Sequence, residues 1–220
     1  MALPLHALQL LAPYLRDANV LSLGYPDITV EPSKIEALFG YKPSHFTNEG
    51  GWHGKKFPLP QTEELFEKLG AKLTVVDFTA ERGMEVIADL NYPHDLGQFD
   101  VVLDPGTLEH CFNIGQALMN AANAVKLGGV LLHLSPMTML NHGFYNLCPT
   151  LFNDFYEQNG WEVDIALVPQ PIGALHTTGR FSVQAEYLIR ALATRRSAEP
   201  LHYCVQTKYR NKMFKRKEAA

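Results

Sequence analysis

Four aspartates stand where apolar runs of this 220-residue sequence stop. Asp27 follows VLSLGYP, Asp77 ends KLTVVD, Asp89 lies in MEVIADLNYP, and Asp104 ends FDVVLD. An ionised carboxylate offers two acceptor oxygens and makes strong, charge-assisted hydrogen bonds, so such a series suits a ligand with paired hydroxyls or positive charge. Four carboxylates brought to one edge are costly unless water or ligand donors satisfy them. Each also has a plainer role. Asp77 can cap a turn, Asp89 with Asn91 can form an Asx turn before Pro93, and Asp104 can fix the turn at Pro105-Gly106. Their joint placement carries the functional reading.

Three histidines invite the same weighing: His110 in LEH, His133 in VLLHLSP and His142 in NHGFY. Histidine titrates near neutrality and suits proton removal from an acceptor group. His142 sits in a loop after an apolar run, with Tyr145 three residues on, and is the candidate general base. His110 either packs and orients its turn or takes part in catalysis. His133, between leucines, reads as a core histidine. No H-x-x-x-H spacing supports a metal site built from His110, His133 and His142, and none is expected.

The elements that position these residues alternate between strand-like and helix-like runs, the pattern of a parallel sheet covered on both faces. NVLSLG, AKLTVVDF, MEVIADLNYP, FDVVLD, VLLHLSP and WEVDIALV read as strands, and LHYCVQTKY as an edge strand. PSKIEALFG, TEELFEKLG, the run from Ile114 to Val125, PTLFNDFYEQNG and SVQAEYLIRALATR read as helices. Thr62 is the expected N-cap of the second of these, Gly40 and Gly70 are stops, and Gly128-Gly129 is a turn. Residues 1–17 are expected to form a short amphipathic helix. Residues 41–60 and 170–182 lack periodicity and read as loops able to cover a site, which brings Trp52, His53 and His176 near an acceptor. One α/β domain spanning residues 1–220 is expected, with ligand binding at the carboxyl ends of the strands.

Composition narrows the class. Hydrophobic residues make up 46% and charged residues 19%, as in globular proteins. The net charge of −4 favours neither nucleic acid nor an anionic membrane, and residues 208–220 form a basic tail best read as solvated. Cys111, Cys148 and Cys204 are scattered and odd in number, which fits a reducing compartment. With no signal peptide or membrane span evident, a cytoplasmic protein is expected.

FDVVLDPGTLEHCFN, the following helix, KLGGVLLHLSP, the tyrosine-bearing loop and NGWEV together resemble the class I S-adenosylmethionine-dependent methyltransferases. DLNYP, GTLEHCFNIGQALMNAANAVKLGGVLLHLSP and NHGFYNLCPTLFNDFYEQNGWEV are similar to a group of bacterial and phage-borne methyltransferase-like proteins. The resemblance covers about residues 18–165 and is most specific over 99–165. It implies a Rossmann-like, seven-stranded, mostly parallel sheet with helices on both faces and an antiparallel last strand.

The resemblance also implies S-adenosylmethionine as cofactor. Asp77 would hold the ribose hydroxyls, Asp89 and Leu90 would read the adenine edge, and Asp104 with Gly106 would lie beside the sulfonium, where Phe112 or Tyr145 can add attraction. The family's glycine turn is degenerate: its acid falls on Ser22, its first glycine on Gly24, and the other two on Pro26 and Ile28. Asp27 is the candidate replacement for the ammonium contact. The acceptor would be a small molecule or glycan, methylated at oxygen. A non-catalytic protein keeping this fold for binding or assembly is the alternative. A nicotinamide oxidoreductase lacks G-x-G-x-x-G after the first strand.

Overall fold

A computed structural model describes residues 2–51, 53–139, 142–170 and 186–207. In chain order the elements are β1 (Ala2–Leu3), α1 (Leu5–Leu15), β2 (Asn19–Leu23), β3 (Asp27–Ile28), α2 (Pro32–Phe39), β4 (Phe46–Thr47) and β5 (Leu59–Pro60). There follow α3 (Thr62–Lys68), β6 (Lys72–Asp77), β7 (Glu85–Ile87), β8 (Phe99–Asp104) and α4 (Ile114–Asn123). The last are β9 (Val125–Pro136), α5 (Pro149–Gln158), β10 (Trp161–Gln170) and β11 (Glu186–Arg195). Seven strands form the central sheet in the order β10-β11-β9-β8-β2-β6-β7. β9, β8, β2, β6 and β7 pair in parallel, and β11 runs antiparallel between β9 and β10. The expected α/β, Rossmann-like sheet with an antiparallel last strand is therefore present.

Strand alternation sends side chains to two cores. Val20, Val101, Leu103, Val130 and Leu132 pack with Leu8, Leu11 and Leu15 of α1, Ile35 of α2, and Leu65 and Phe66 of α3. Leu21, Leu23, Val102 and Leu131 pack with Ala117, Leu118 and Ala121 of α4 and Phe152, Phe155 and Tyr156 of α5. Burying each large apolar side chain contributes about 1.5–3 kcal/mol. β6 and β7 lie on one side of β2 and β8 on the other, so the order of growth reverses between β2 and β8, the position at which open parallel sheets bind ligands.

Several boundaries differ from the sequence expectation. SVQAEYLIRALATR, expected as a helix, contributes β11. Ile189, Ala191 and Ala193 are buried at alternate positions in the core under α5, and pairing on both sides overrides the helix preference of Ala, Leu and Arg. Residues 201–206, expected as an edge strand, form none. Side-chain amides of α5 and its C-cap take the place of a strand partner. Asn159 bonds the His202 backbone through both its groups, at 2.8 and 3.0 Å, and Gln158 does the same for Val205, at 3.1 and 2.7 Å. Thr62 does not cap α3; its hydroxyl donates to the Pro26 carbonyl at 2.9 Å. The expected turn at Gly128-Gly129 is absorbed into the twelve-residue β9. The N-terminal helix is confined to Leu5–Leu15, after a two-residue strand paired with β3.

Candidate active site

The turn after β2 is closed. Gly24 adopts φ 80°, open mainly to glycine, and its N–H donates to the Val76 carbonyl at 2.7 Å. The Ser22 hydroxyl donates to Gly24 O at 2.6 Å. Tyr25 is 7% exposed; its hydroxyl donates to Glu63 at 2.6 Å and the Arg82 guanidinium lies 4.2 Å from its ring centre. Burial, reinforced by Glu63, raises the Tyr25 pKa. Ile28 packs into the α1 core, away from the sheet edge. Asp27 is buried, with Arg82 donating to Oδ1 at 3.1 Å and His53 Nε2 at 2.9 Å from Oδ2. His53 from the segment between β4 and β5 and Arg82 from the loop after β6 thus meet at Asp27. His53 holds Asp27 instead of standing over an acceptor site.

Asp104 is closed off as well. The Asp104–His133 register pair places both side chains on the α4/α5 face of the sheet, and both are fully buried. His133 Nδ1 lies 2.7 Å from Asp104 Oδ2 and Nε2 lies 2.5 Å from the Tyr156 hydroxyl. Asp104 Oδ1 accepts from the N–H groups of Thr107 and Leu108 at 2.9 and 3.2 Å. The expected contact of Asp104 with a sulfonium is therefore replaced by a structural one: this carboxylate shapes the turn carrying Gly106 and Glu109. His133 is a satisfied core residue. Burial and Asp104 together push the Tyr156 pKa well up.

The far side of the edge is open. Asp77 Oδ1 caps its own turn, accepting from Phe78 N at 2.6 Å and Thr79 N at 3.4 Å. Asp89 Oδ1 accepts from the backbone and side-chain nitrogens of Asn91 at 3.0 and 2.7 Å, the expected Asx turn. Asn91 in turn accepts from Asn113 N at 2.8 Å, and Asn120 donates to the carbonyls of Leu90 and Tyr92. These bonds tie the β7–β8 loop to α4 and leave a crevice of about 350 Å³ lined by Asp89, Asn91, Tyr92, Phe112 and Asn113. The Leu90 side chain is buried. Phe78, Tyr92, Phe112 and Phe144 are 65–74% exposed, each following the carboxyl end of a parallel strand. Phe112 and Phe144 meet edge to face, with centroids 5.9 Å apart.

Beside this crevice, the loop after β9 folds onto the turn after β8. The N–H groups of Phe144 and Tyr145 donate to Glu109 O at 2.9 and 3.3 Å, and the Tyr145 hydroxyl donates to Phe112 O at 2.8 Å. These bonds bring His142 Nε2 to 3.2 Å from Glu109 Oε1, with the His110 and His142 ring centres 5.1 Å apart. Burial raises the Glu109 pKa, and the pairing with His142 works against it. Cys111 is pushed up to about 12 by burial and neighbouring carboxylates, which makes it a poor nucleophile.

The expected catalytic residues His110, His142 and Tyr145 are thus gathered together, while Asp77 and Asp89 are part-exposed and Asp104 is fully buried. Glu109, Arg82 and Asn113 were not singled out from the sequence. Glu109 was legible only as the acid adjoining His110, and Arg82 had no motif at all. Trp52, Asn141, His176, residues 171–182 of the second expected lid and the basic tail 208–220 lie outside the described residues. Among the described residues, no helix is long and apolar enough to cross a membrane.

No family model matches the chain, and no curated protein matches it. Among solved structures it is similar to the 1,6-didemethyltoxoflavin-N1-methyltransferase of Burkholderia thailandensis, solved with 1,6-didemethyltoxoflavin and S-adenosylhomocysteine. Identity is 17% over 84% of this chain and 75% of that one, with a TM-score of 0.49. TehB of Haemophilus influenzae matches at 12% identity over 82% of this chain and 58% of its own, TM-score 0.46. An O-methyltransferase family protein of B. thailandensis matches at 18% over 89% and 59%, TM-score 0.35. The chain spans less than two thirds of the latter two.

Proposed function

We propose that this protein is an S-adenosylmethionine-dependent methyltransferase acting at oxygen on a small-molecule or glycan-type acceptor. The observation that carries this reading is the open crevice at the carboxyl edge, with Asp77 and Asp89 beyond neighbouring strands and four exposed aromatic rings around the edge. Exposed apolar surface of this kind, gathered at one edge, marks a binding site, and the size fits a ligand the size of a nucleoside. Asp77 would hold the ribose hydroxyls, and Asp89 and the Leu90 backbone the adenine edge. Asp27 enters the reading as the anchor of Arg82 and His53.

When bound, S-adenosylmethionine would supply the methyl group to the acceptor oxygen and leave as S-adenosylhomocysteine. His142, paired with Glu109, would take the acceptor's proton, and Tyr145 and His110 would flank the acceptor. The protein's main work is orientation and exclusion of water.

A second reading has its own observation. Tyr25, Pro26 and Asp27 fill the turn where the family's glycines lie, so a methyltransferase-fold protein that binds without transferring is the alternative. Thermal unfolding with S-adenosylmethionine or S-adenosylhomocysteine tests the site. Ligand at 100 times its dissociation constant should add about 2.7 kcal/mol. Incubation with hydroxyl-bearing sugars, followed by mass spectrometry, then separates the readings: methylated sugar and S-adenosylhomocysteine support transfer, and tight binding without either product supports the scaffold.

A further inference from the structure

We propose that Glu109, His110 and His142 form a binding site for one divalent first-row transition-metal ion. Each side chain offers one ligand atom, and the three atoms lie within 4.8 Å of one another. Glu109 Oε1 is 3.2 Å from His142 Nε2 and 4.0 Å from His110 Nε2. Ligands at about 2.1 Å from a shared ion are at most about 4.2 Å apart, so both pairs already fall within range. The side chain of His110, half exposed, closes the remaining gap by rotation.

Two further features distinguish this cluster from a chance meeting of surface groups. The Glu109 side chain is 1% exposed, and its Oε2 has no hydrogen-bond partner among the described residues. A carboxyl group held that deeply is stabilised as an anion by a cation placed against it. The backbone is also built around it. At Gly106, with φ 105°, a Cβ would stand 3.2 Å from Glu109 Oε1; at Gly143 it would stand 2.8 Å from Glu109 O and 3.0 Å from its Cγ. Both glycines leave room that the Glu109 side chain uses. The bonds from Phe144 and Tyr145 to Glu109 O then hold the His142 loop against it.

Two imidazoles and one carboxylate suit Mn²⁺, Fe²⁺, Co²⁺ or Zn²⁺ better than Mg²⁺ or Ca²⁺, which favour all-oxygen sets. Three protein ligands leave positions for water or an oxygen of the acceptor. An ion there would lower that oxygen's pKa, a role that replaces His142 as base in the methyl-transfer reading. The site itself rests on geometry and not on that reading.

The test is titration of Co²⁺ into the chelator-stripped, untagged full chain, followed by calorimetry and visible absorption. One ion per chain is expected, with d–d bands showing nitrogen and oxygen ligation. His110→Ala, which removes a half-exposed side chain and leaves the fold intact, should weaken binding at least tenfold, and His142→Ala should do the same. Absence of stoichiometric binding to folded protein, or equal binding by both variants, would overturn the proposal. Neither result bears on whether adenosyl ligands bind.

Discussion

Two stretches of the same sheet edge use the same residue type in opposite ways. At the middle of the sheet, Asp27 and Asp104 are buried and saturated: one by Arg82 and His53, the other by His133 and two backbone N–H groups. At the β6–β7 side, the bonds of Asp77 and Asp89 among the described residues are short-range turn bonds, and both side chains are part-exposed. A carboxylate at a strand end is thus not a ligand contact by position alone. What decides is whether the protein itself supplies its donors. The buried pair should matter for stability and the open pair for binding.

The largest effect expected on this contrast is that of Asp104→Ala. Removing one partner of a buried pair leaves His133 and two N–H groups unsatisfied, and should cost about 3–5 kcal/mol, read by chemical denaturation. Asp77→Ala should instead cost only about 1 kcal/mol, as for loss of an exposed cap, but weaken S-adenosylhomocysteine binding by about 1.5–3 kcal/mol, the range for hydrogen bonds to a charged group. A large stability loss in Asp77→Ala would erase the distinction.

Arg82→Ala tests the closed turn from outside. It removes a charged hydrogen bond to Asp27 and the contact over Tyr25, and a loss of about 1–3 kcal/mol in stability is expected. If the turn contributes little to ligand grip, adenosine should retain most of the affinity of S-adenosylhomocysteine, within about tenfold, or about 1.4 kcal/mol. A far greater preference for the full ligand by calorimetry would show that the methionine end is gripped after all.

A smaller effect concerns pH. Backbone and hydroxyl donors of Thr207 hold Asp154 below the usual carboxyl range, and Lys126 does so for Asp100. A carboxyl with a folded pKa below its unfolded value adds stability above the unfolded value, about 3.9, and loses it as pH falls through the folded one. Asp154→Asn should therefore flatten the acid limb of the stability curve below about pH 4, and it should do so without changing ligand affinity.

Much of the sheet was legible because continuous apolar runs such as KLTVVD and FDVVLD, stopped by an Asp, suit strands of a parallel sheet covered on both faces, and the Gly40 stop and the Asp89–Asn91 turn follow from local chemistry. β11 was not legible: EYLIRALATR has helix-forming residues, and only pairing on both sides makes it a strand. The closure of residues 24–27 escaped for a similar reason, since Arg82 and His53 reach Asp27 from 55 and 26 residues away. Asp104 carried the right residue type at the right strand end, but its partner His133 lies on the neighbouring strand. The gathering of His110, His142 and Tyr145 depends on bonds from a later loop to Glu109 O, and no sequence spacing encodes them.

The most direct test of the open crevice is a calorimetric titration of S-adenosylhomocysteine into wild-type protein and into Asp77→Ala/Asp89→Ala. One site per chain is predicted for wild type, with binding lost in a double variant that remains cooperatively folded at the titration temperature. Folded wild-type protein that takes up no ligand at millimolar concentration, or a double variant that binds as wild type does, would contradict it.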